Sequence, residues 1–155
     1  MIRAYAPADL EALKEITVVC FDGVSIDQNI EARLGRVGGR DWRWRKARHV
    51  DADVEGENAR GVFVGEIDGA VVGYITARVD PESRVGWIPN LAVLPPHRGR
   101  GLGRKLLQKA LKYLGEQGME CARIETLEQN PVGARLYPSE GFREVARQIH
   151  YVTRL

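Results

Sequence analysis

Residues 91–115 place a strand and a helix back to back across a glycine-rich turn, and that junction limits the folds open to the chain. Leu91-Ala92-Val93-Leu94 is an apolar run of strand length. Pro95 and Pro96 end it, because neither can donate to a sheet ladder. Gly99, Gly101 and Gly103 follow at alternate positions, set among Arg98, Arg100 and Arg104. Leu102, Leu106, Leu107, Ala110, Leu111 and Leu114 then share one helical face, with Lys105, Gln108, Lys109 and Lys112 pointing away. Gly115 and Gly118 mark the helix end. A helix N-terminus offers unpaired N–H groups and a partial positive charge. Glycines let a phosphate come close to that backbone, and three arginines add fixed charge beside it. The stretch therefore predicts a phosphate or pyrophosphate ligand.

Two common phosphate motifs do not fit. A dinucleotide fingerprint needs G-x-G-x-x-G, whereas this run is G-x-G-x-G followed by Arg104. A P-loop needs Gly-Lys-Ser/Thr, which occurs nowhere in the chain. The spacing Arg98-x-x-Gly101-x-Gly103 resembles the [QR]-x-x-G-x-[GA] signature of the GNAT family of N-acetyltransferases. A second block, Asn130 followed by Tyr137 and then Gly141-Phe142, is similar to that family's next motif and stands in the same order. The resemblance is specific from about Leu91 to Phe142 and generic before it.

The resemblance implies an α+β fold: one acyl-CoA N-acyltransferase domain over residues 1–155, with a central mixed, mostly antiparallel sheet, helices on both faces and a parallel split around the cofactor. It implies acetyl-CoA as cosubstrate and no metal. The backbone of Leu91, Ala92 and Val93 would pair with the pantetheine arm. Arg98, Gly99, Arg100, Gly101, Leu102 and Gly103 would hold the pyrophosphate, and Asn130 would bond the pantetheine. Tyr137 stands at the position of the family's general acid, although Pro138 directly after it is unusual. Glu125, five residues before Asn130, matches the base of the branch that acetylates ribosomal-protein amino termini. Alternation places Arg123 and Glu125 on one face, so an ion pair between them is an equal reading of the same residues. Glu128 is a second candidate base. The reaction implied is acetyl transfer to a primary amine of a small molecule or a peptide N-terminus. A non-catalytic acyl-CoA sensor is the alternative.

Composition sets the frame. A chain of 155 residues with 44% hydrophobic content suits one globular domain. No apolar run has membrane-spanning length, and Met1-Ile2-Arg3-Ala4-Tyr5 lacks the apolar block of a signal peptide. Cys20 and Cys121 form no metal-like pair and read as small buried hydrophobes in a reducing cytoplasm. A net charge of +2 does not suggest nucleic acid by itself. Residues 36–49 do interleave Trp42 and Trp44 with Arg36, Arg40, Arg43, Arg45, Lys46 and Arg48. That segment reads as a solvated basic helix with one tryptophan in the core, as a wall recognising an acidic or aromatic substrate, or as a nucleic-acid contact. Asp51, Asp53, Glu55 and Glu57 follow and weigh against the last.

Elsewhere the pattern predicts a first strand at Ile2 to Tyr5 and a helix after Pro7. A hairpin turns at Asp68-Gly69. A strand from Val85 to Leu94 is distorted near Trp87 to Asn90 by Pro89. A parallel crossover leads to a strand at Cys121 to Leu127. A short helix begins at Asn130, and closing strands are expected at Phe142 to Val145 and Gln148 to Arg154. In the family such strands pair or swap between copies, so a homodimer is among the assemblies the resemblance implies.

Overall fold

The computed structural model describes residues 1–155. Four strands form an antiparallel sheet in the order β1 (Ile2–Ala4), β2 (Val62–Ile67), β3 (Ala70–Thr76) and β5 (Leu91–Val93). A separate pair, β4 (Val85–Ile88) and β6 (Cys121–Ile124), runs parallel. The run from Val85 to Leu94 is thus two strands broken at Pro89-Asn90, where proline removes a ladder donor. Beyond that break β5 stays with β3 and leaves β6, so the sheet splits.

Helices cover both faces. On one lies α5 (Leu102–Glu116), whose Leu106, Leu107, Ala110 and Leu114 pack on Phe63, Ile75 and Ile88. The helix sits close because Gly86 has no side chain: a Cβ there would lie 2.9 Å from Leu114 Cδ1. On the other face lie α1 (Leu10–Cys20) and α4 (His49–Asp53), whose Leu13, Ile16 and Val50 pack on Val62, Val64, Tyr74 and Ala92. Tyr74 is fully buried, and its hydroxyl meets Thr17 Oγ1 at 2.6 Å. Between α1 and α4 run α2 (Ile26–Leu34) and α3 (Trp42–Ala47). Asp41 caps α3 by accepting from Trp44 N–H at 3.0 Å. Within the basic segment Trp42 is buried, while Trp44 is exposed beneath the guanidiniums of Arg40 and Arg48. No helix is long and apolar enough to cross a membrane.

Three expectations fail. The closing strands at Phe142 to Val145 and Gln148 to Arg154 do not form, and residues after Gly141 carry no regular structure. Apolar alternation is present there, but a strand also needs a facing edge. Here Val145, Ile149 and Tyr151 stand exposed, while Arg147 pairs with Glu144 and Glu128. The strand expected through Leu127 stops at Ile124 for the same lack of a partner. Cys121 is consequently exposed rather than buried, and Cys20 is only half-buried. The last helix, α6 (Pro131–Ser139), forms at its expected start.

Candidate acyl-transfer site

β5 carries the first half of the site. Its hydrogen bonds to β3 include Leu94 N–H to Val72 C=O and Thr76 N–H to Asn90 C=O, both at 2.9 Å. Alternate residues of an antiparallel strand pair on alternate edges, so Leu91 and Val93 turn their N–H and C=O groups away from β3. No strand covers that edge. Arg98 Nε donates to the outward Val93 carbonyl at 2.7 Å, which ties the glycine loop to the strand. Ala92, between them, is buried and spends its backbone on β3.

The loop itself is shaped by its glycines. Gly101 is the N-cap of α5 with φ of 80°, a left-handed conformation that disfavours any side chain. No side chain caps α5, so its first N–H groups remain available beside Arg98 and Arg100. Arg104 does not contribute free charge there. It pairs with Glu140 at the end of α6 and also reaches Ser139.

The second half comes from α6. Asn130 caps this helix, its Oδ1 accepting from Val132 N–H at 3.2 Å and from Gly133 N–H at 3.4 Å. Only its amide nitrogen is left for a ligand. Tyr137 is half-buried and tilts against Phe142, with ring centroids 6.0 Å apart. Burial pushes its hydroxyl up to about 12, so it stays protonated over the working range.

Glu125 lies one residue past β6. Its Oε2 accepts from Trp87 Nε1–H and its Oε1 from Arg123, each at 2.7 Å. Both oxygens are therefore engaged, and the side chain is about half exposed. Glu128 is further out and meets only Arg147.

Sequence reasoning missed a polar network at the break between β4 and β5. Asp53 is 1% exposed. Its Oδ1 accepts from Arg78 Nη2 at 2.5 Å and its Oδ2 from Asn90 Nδ2 at 2.6 Å. Lys46 Nζ donates to Asn90 Oδ1 at 3.0 Å and lies over the Phe21 ring. Burial lowers the Lys46 ammonium, with Asp27 and Asp53 acting against that shift. Burial and the Lys46 charge also lower His49. These groups line a cavity of about 230 Å³ with Trp87 and Pro89. Asn90 belongs to this cavity and directly precedes the free-edged Leu91.

Comparison with known proteins agrees with this geometry. The model of the acetyltransferase (GNAT) family matches residues 25–142. An "uncharacterized N-acetyltransferase" of Archaeoglobus fulgidus is 38% identical over 88 residues, covering 54% of this chain and 60% of that protein. An "N-alpha-acetyltransferase" of Sulfurisphaera tokodaii is 34% identical over 100 residues, covering 57% of this chain and 60% of its own length. The chain thus spans less than two thirds of the curated relatives it matches. Among solved structures, the PaiA N-acetyltransferase of Thermoplasma acidophilum in complex with coenzyme A superposes with a TM-score of 0.70. That pair is 22% identical, over 92% of this chain and 89% of the other, a likeness of fold.

Proposed function

Since the chain belongs to the acetyltransferase (GNAT) family, we propose that it transfers an acetyl group from acetyl-CoA directly to a primary amine. The observation that carries this reading is the unpaired edge of Leu91 and Val93, followed by a glycine-capped helix N-terminus, with Tyr137 packed on the same core cluster as Leu91 and Val93.

Each part has a task in that reaction. The outward N–H groups of Leu91 and Val93 receive the pantetheine amides, as an added strand would. The loop from Arg98 to Gly103 holds the pyrophosphate through backbone N–H groups and the Arg98 and Arg100 charges. The Asn130 amide nitrogen is free to bond the pantetheine carbonyl. The acceptor enters from the Asn90 side. An alkylammonium titrates near 10.4, about three units above neutrality, so a base must take its proton before attack. Glu125 serves as that base, directly or through a water. The amine nitrogen bonds to the acetyl carbon while charge gathers on the carbonyl oxygen, where an outward β5 N–H meets it. The carbon–sulfur bond then breaks, Tyr137 donates its proton to the departing thiolate, and the surplus proton left on the new amide nitrogen is released through solvent and restores Tyr137.

A second reading, an acyl-CoA-binding sensor without turnover, is favoured by one observation: both Glu125 oxygens already accept hydrogen bonds. Free-thiol release from acetyl-CoA, measured over a panel of small amines, polyamines, amino acids, aminoglycosides and N-terminal peptides, separates the two. Amine-dependent release supports transfer. Tight cofactor binding by calorimetry with no release from any amine supports the sensor, and absence of cofactor binding removes both.

A further inference from the structure

The cationic side chains around the cavity at Asn90 keep unused hydrogen-bond donors, while each carboxylate beside them is already paired, and this imbalance bears on the acceptor. The inference rests on the transfer reading above and deepens it. A second hollow, about 380 Å³, adjoins the first and shares Arg78 and Trp87 with it, adding Asp80, Ser83 and Arg123. The backbone sets the arrangement. Arg78 and Trp87 exchange N–H to C=O bonds of 2.7 and 3.0 Å. Trp87 is in register with Arg123 across the β4–β6 ladder. The three side chains therefore form a cross-strand row, with each guanidinium 5.2 Å from the indole centroid.

Each oxygen of the lining Asp53 and Asp80, and of Glu125 next to the lining Arg123, already accepts a hydrogen bond. Asp53 accepts from Arg78 on one oxygen and Asn90 on the other. Glu125 accepts from Arg123 and Trp87. Asp80 accepts from the Ser83 hydroxyl and from two backbone N–H groups of its own turn. The cations are not matched in this way. Arg78 spends one side-chain N–H on Asp53, and its Nε is buried with no partner. Arg123 spends one on Glu125, and Lys46 spends one on Asn90. A guanidinium and an ammonium carry several donors each, so most remain unused.

We propose that the acceptor amine carries a carboxylate, which binds between Arg78 and Arg123 beside Trp87, with Lys46 on the Asn90 side. A planar carboxylate fits guanidinium donors two at a time. A polycationic acceptor meets three cations and only acids that already have partners, so it is selected against. The carboxylate has two sources, a small amino acid or an acidic residue near a peptide N-terminus.

The test separates binding from turnover. Glutarate and glutaramide are titrated calorimetrically into the protein with coenzyme A present. Glutarate is expected to bind, with glutaramide at least about tenfold weaker. Arg123→Gln should weaken glutarate at least about tenfold; Arg123 is 60% exposed, so its loss leaves the fold intact. Equal binding of the two probes, or none of either, overturns the proposal. In thiol release, 4-aminobutyrate is compared with 4-aminobutyramide, and an Ala-Glu peptide with Ala-Gln, both amidated. A preference of tenfold or more in kcat/KM within the first pair assigns a small acceptor, and within the second a peptide. Equal turnover within both pairs overturns the proposal while keeping the transfer reading. Selective glutarate binding with no release from any amine keeps the anion site and removes the transfer reading.

Discussion

The Trp87 indole donates its N–H to the Glu125 carboxylate at 2.7 Å, tying the candidate base to the strand on the other side of the parallel pair. This bond fixes where Glu125 points, and Arg123 holds the other oxygen. Glu125→Gln keeps an acceptor for the indole and removes the base. Turnover by Glu125→Gln should fall by about 10²–10⁴ in kcat, with the KM for acetyl-CoA unchanged. Activity within about twofold of the parent would transfer the role to another group or to bulk water.

In the proposed reaction the Arg98 contact to Val93 and the left-handed Gly101 serve cofactor binding rather than the chemistry. Arg98→Ala loses one charge and frees the outward carbonyl. Gly101→Ala meets no atom within 4 Å, so its cost is conformational, about 1–2 kcal/mol. The double variant should lose acetyl-CoA binding by calorimetry while keeping a cooperative melt. Unaltered binding would remove the pyrophosphate assignment.

What was legible in the sequence was local. The strand, glycine turn and helix at residues 91–116 each announce themselves within a few residues. Pro89 marked the break that splits the sheet. The Lys46–Asn90–Asp53–Arg78 network was not legible, because its members are far apart in sequence and polar residues carry no periodic signal. In the sequence Asp53 reads only as one of four acids offsetting the basic segment, yet it is the buried one. The tail shows the opposite error: residues 148–154 alternate like a strand, but pattern alone supplies no partner edge. For Glu125 the spacing to Asn130 suggests a base and strand alternation suggests an ion pair; the Arg123 contact is present, and the role of base is the one left to experiment.

Tyr137 has a hydroxyl whose only displaced feature is burial, which lifts it to about 12. Tyr137→Phe therefore removes a proton donor without stranding a partner. Its melting temperature should stay within about 2 °C of the parent, since substitutions that break no contact change stability little. kcat should fall by about 10²-fold or more, and most with acceptors whose transfer is limited by thiolate departure. Stopped-flow release of the free thiol measures this, and unchanged kcat would exclude the tyrosine as acid.

Alkaline pH should unfold the protein through its tyrosines. Burial raises Tyr74 and Tyr137 in the folded state, so both bind their protons more tightly there than in the unfolded chain. Their contribution to stability is complete below about pH 10, the unfolded value, and is lost as pH rises through the folded values. Tyr74→Phe gives up the Thr17 contact, about 0.5–1.5 kcal/mol at neutral pH. It should also flatten the fall in urea midpoint between pH 10 and pH 11. An identical slope in parent and variant would contradict this linkage.

Asp53 and Arg78 form the pair whose loss should matter most to the fold at the cavity. The carboxylate is 1% exposed on its side chain, the guanidinium 28%. Removing one member of a fully buried pair costs about 3–5 kcal/mol; the wetter arginine brings the figure here toward about 3. At this chain length that is a fall of roughly 6–12 °C in melting temperature. The two single variants should differ. Arg78→Met leaves a dry carboxylate with Asn90 alone, whereas Asp53→Asn leaves a guanidinium that can turn to water. Scanning calorimetry should therefore find Arg78→Met the more damaging, and the double variant less destabilised than the sum of the two. Strict additivity would mean that the pair is not coupled. Asn90 would then hold the break between β4 and β5 without it.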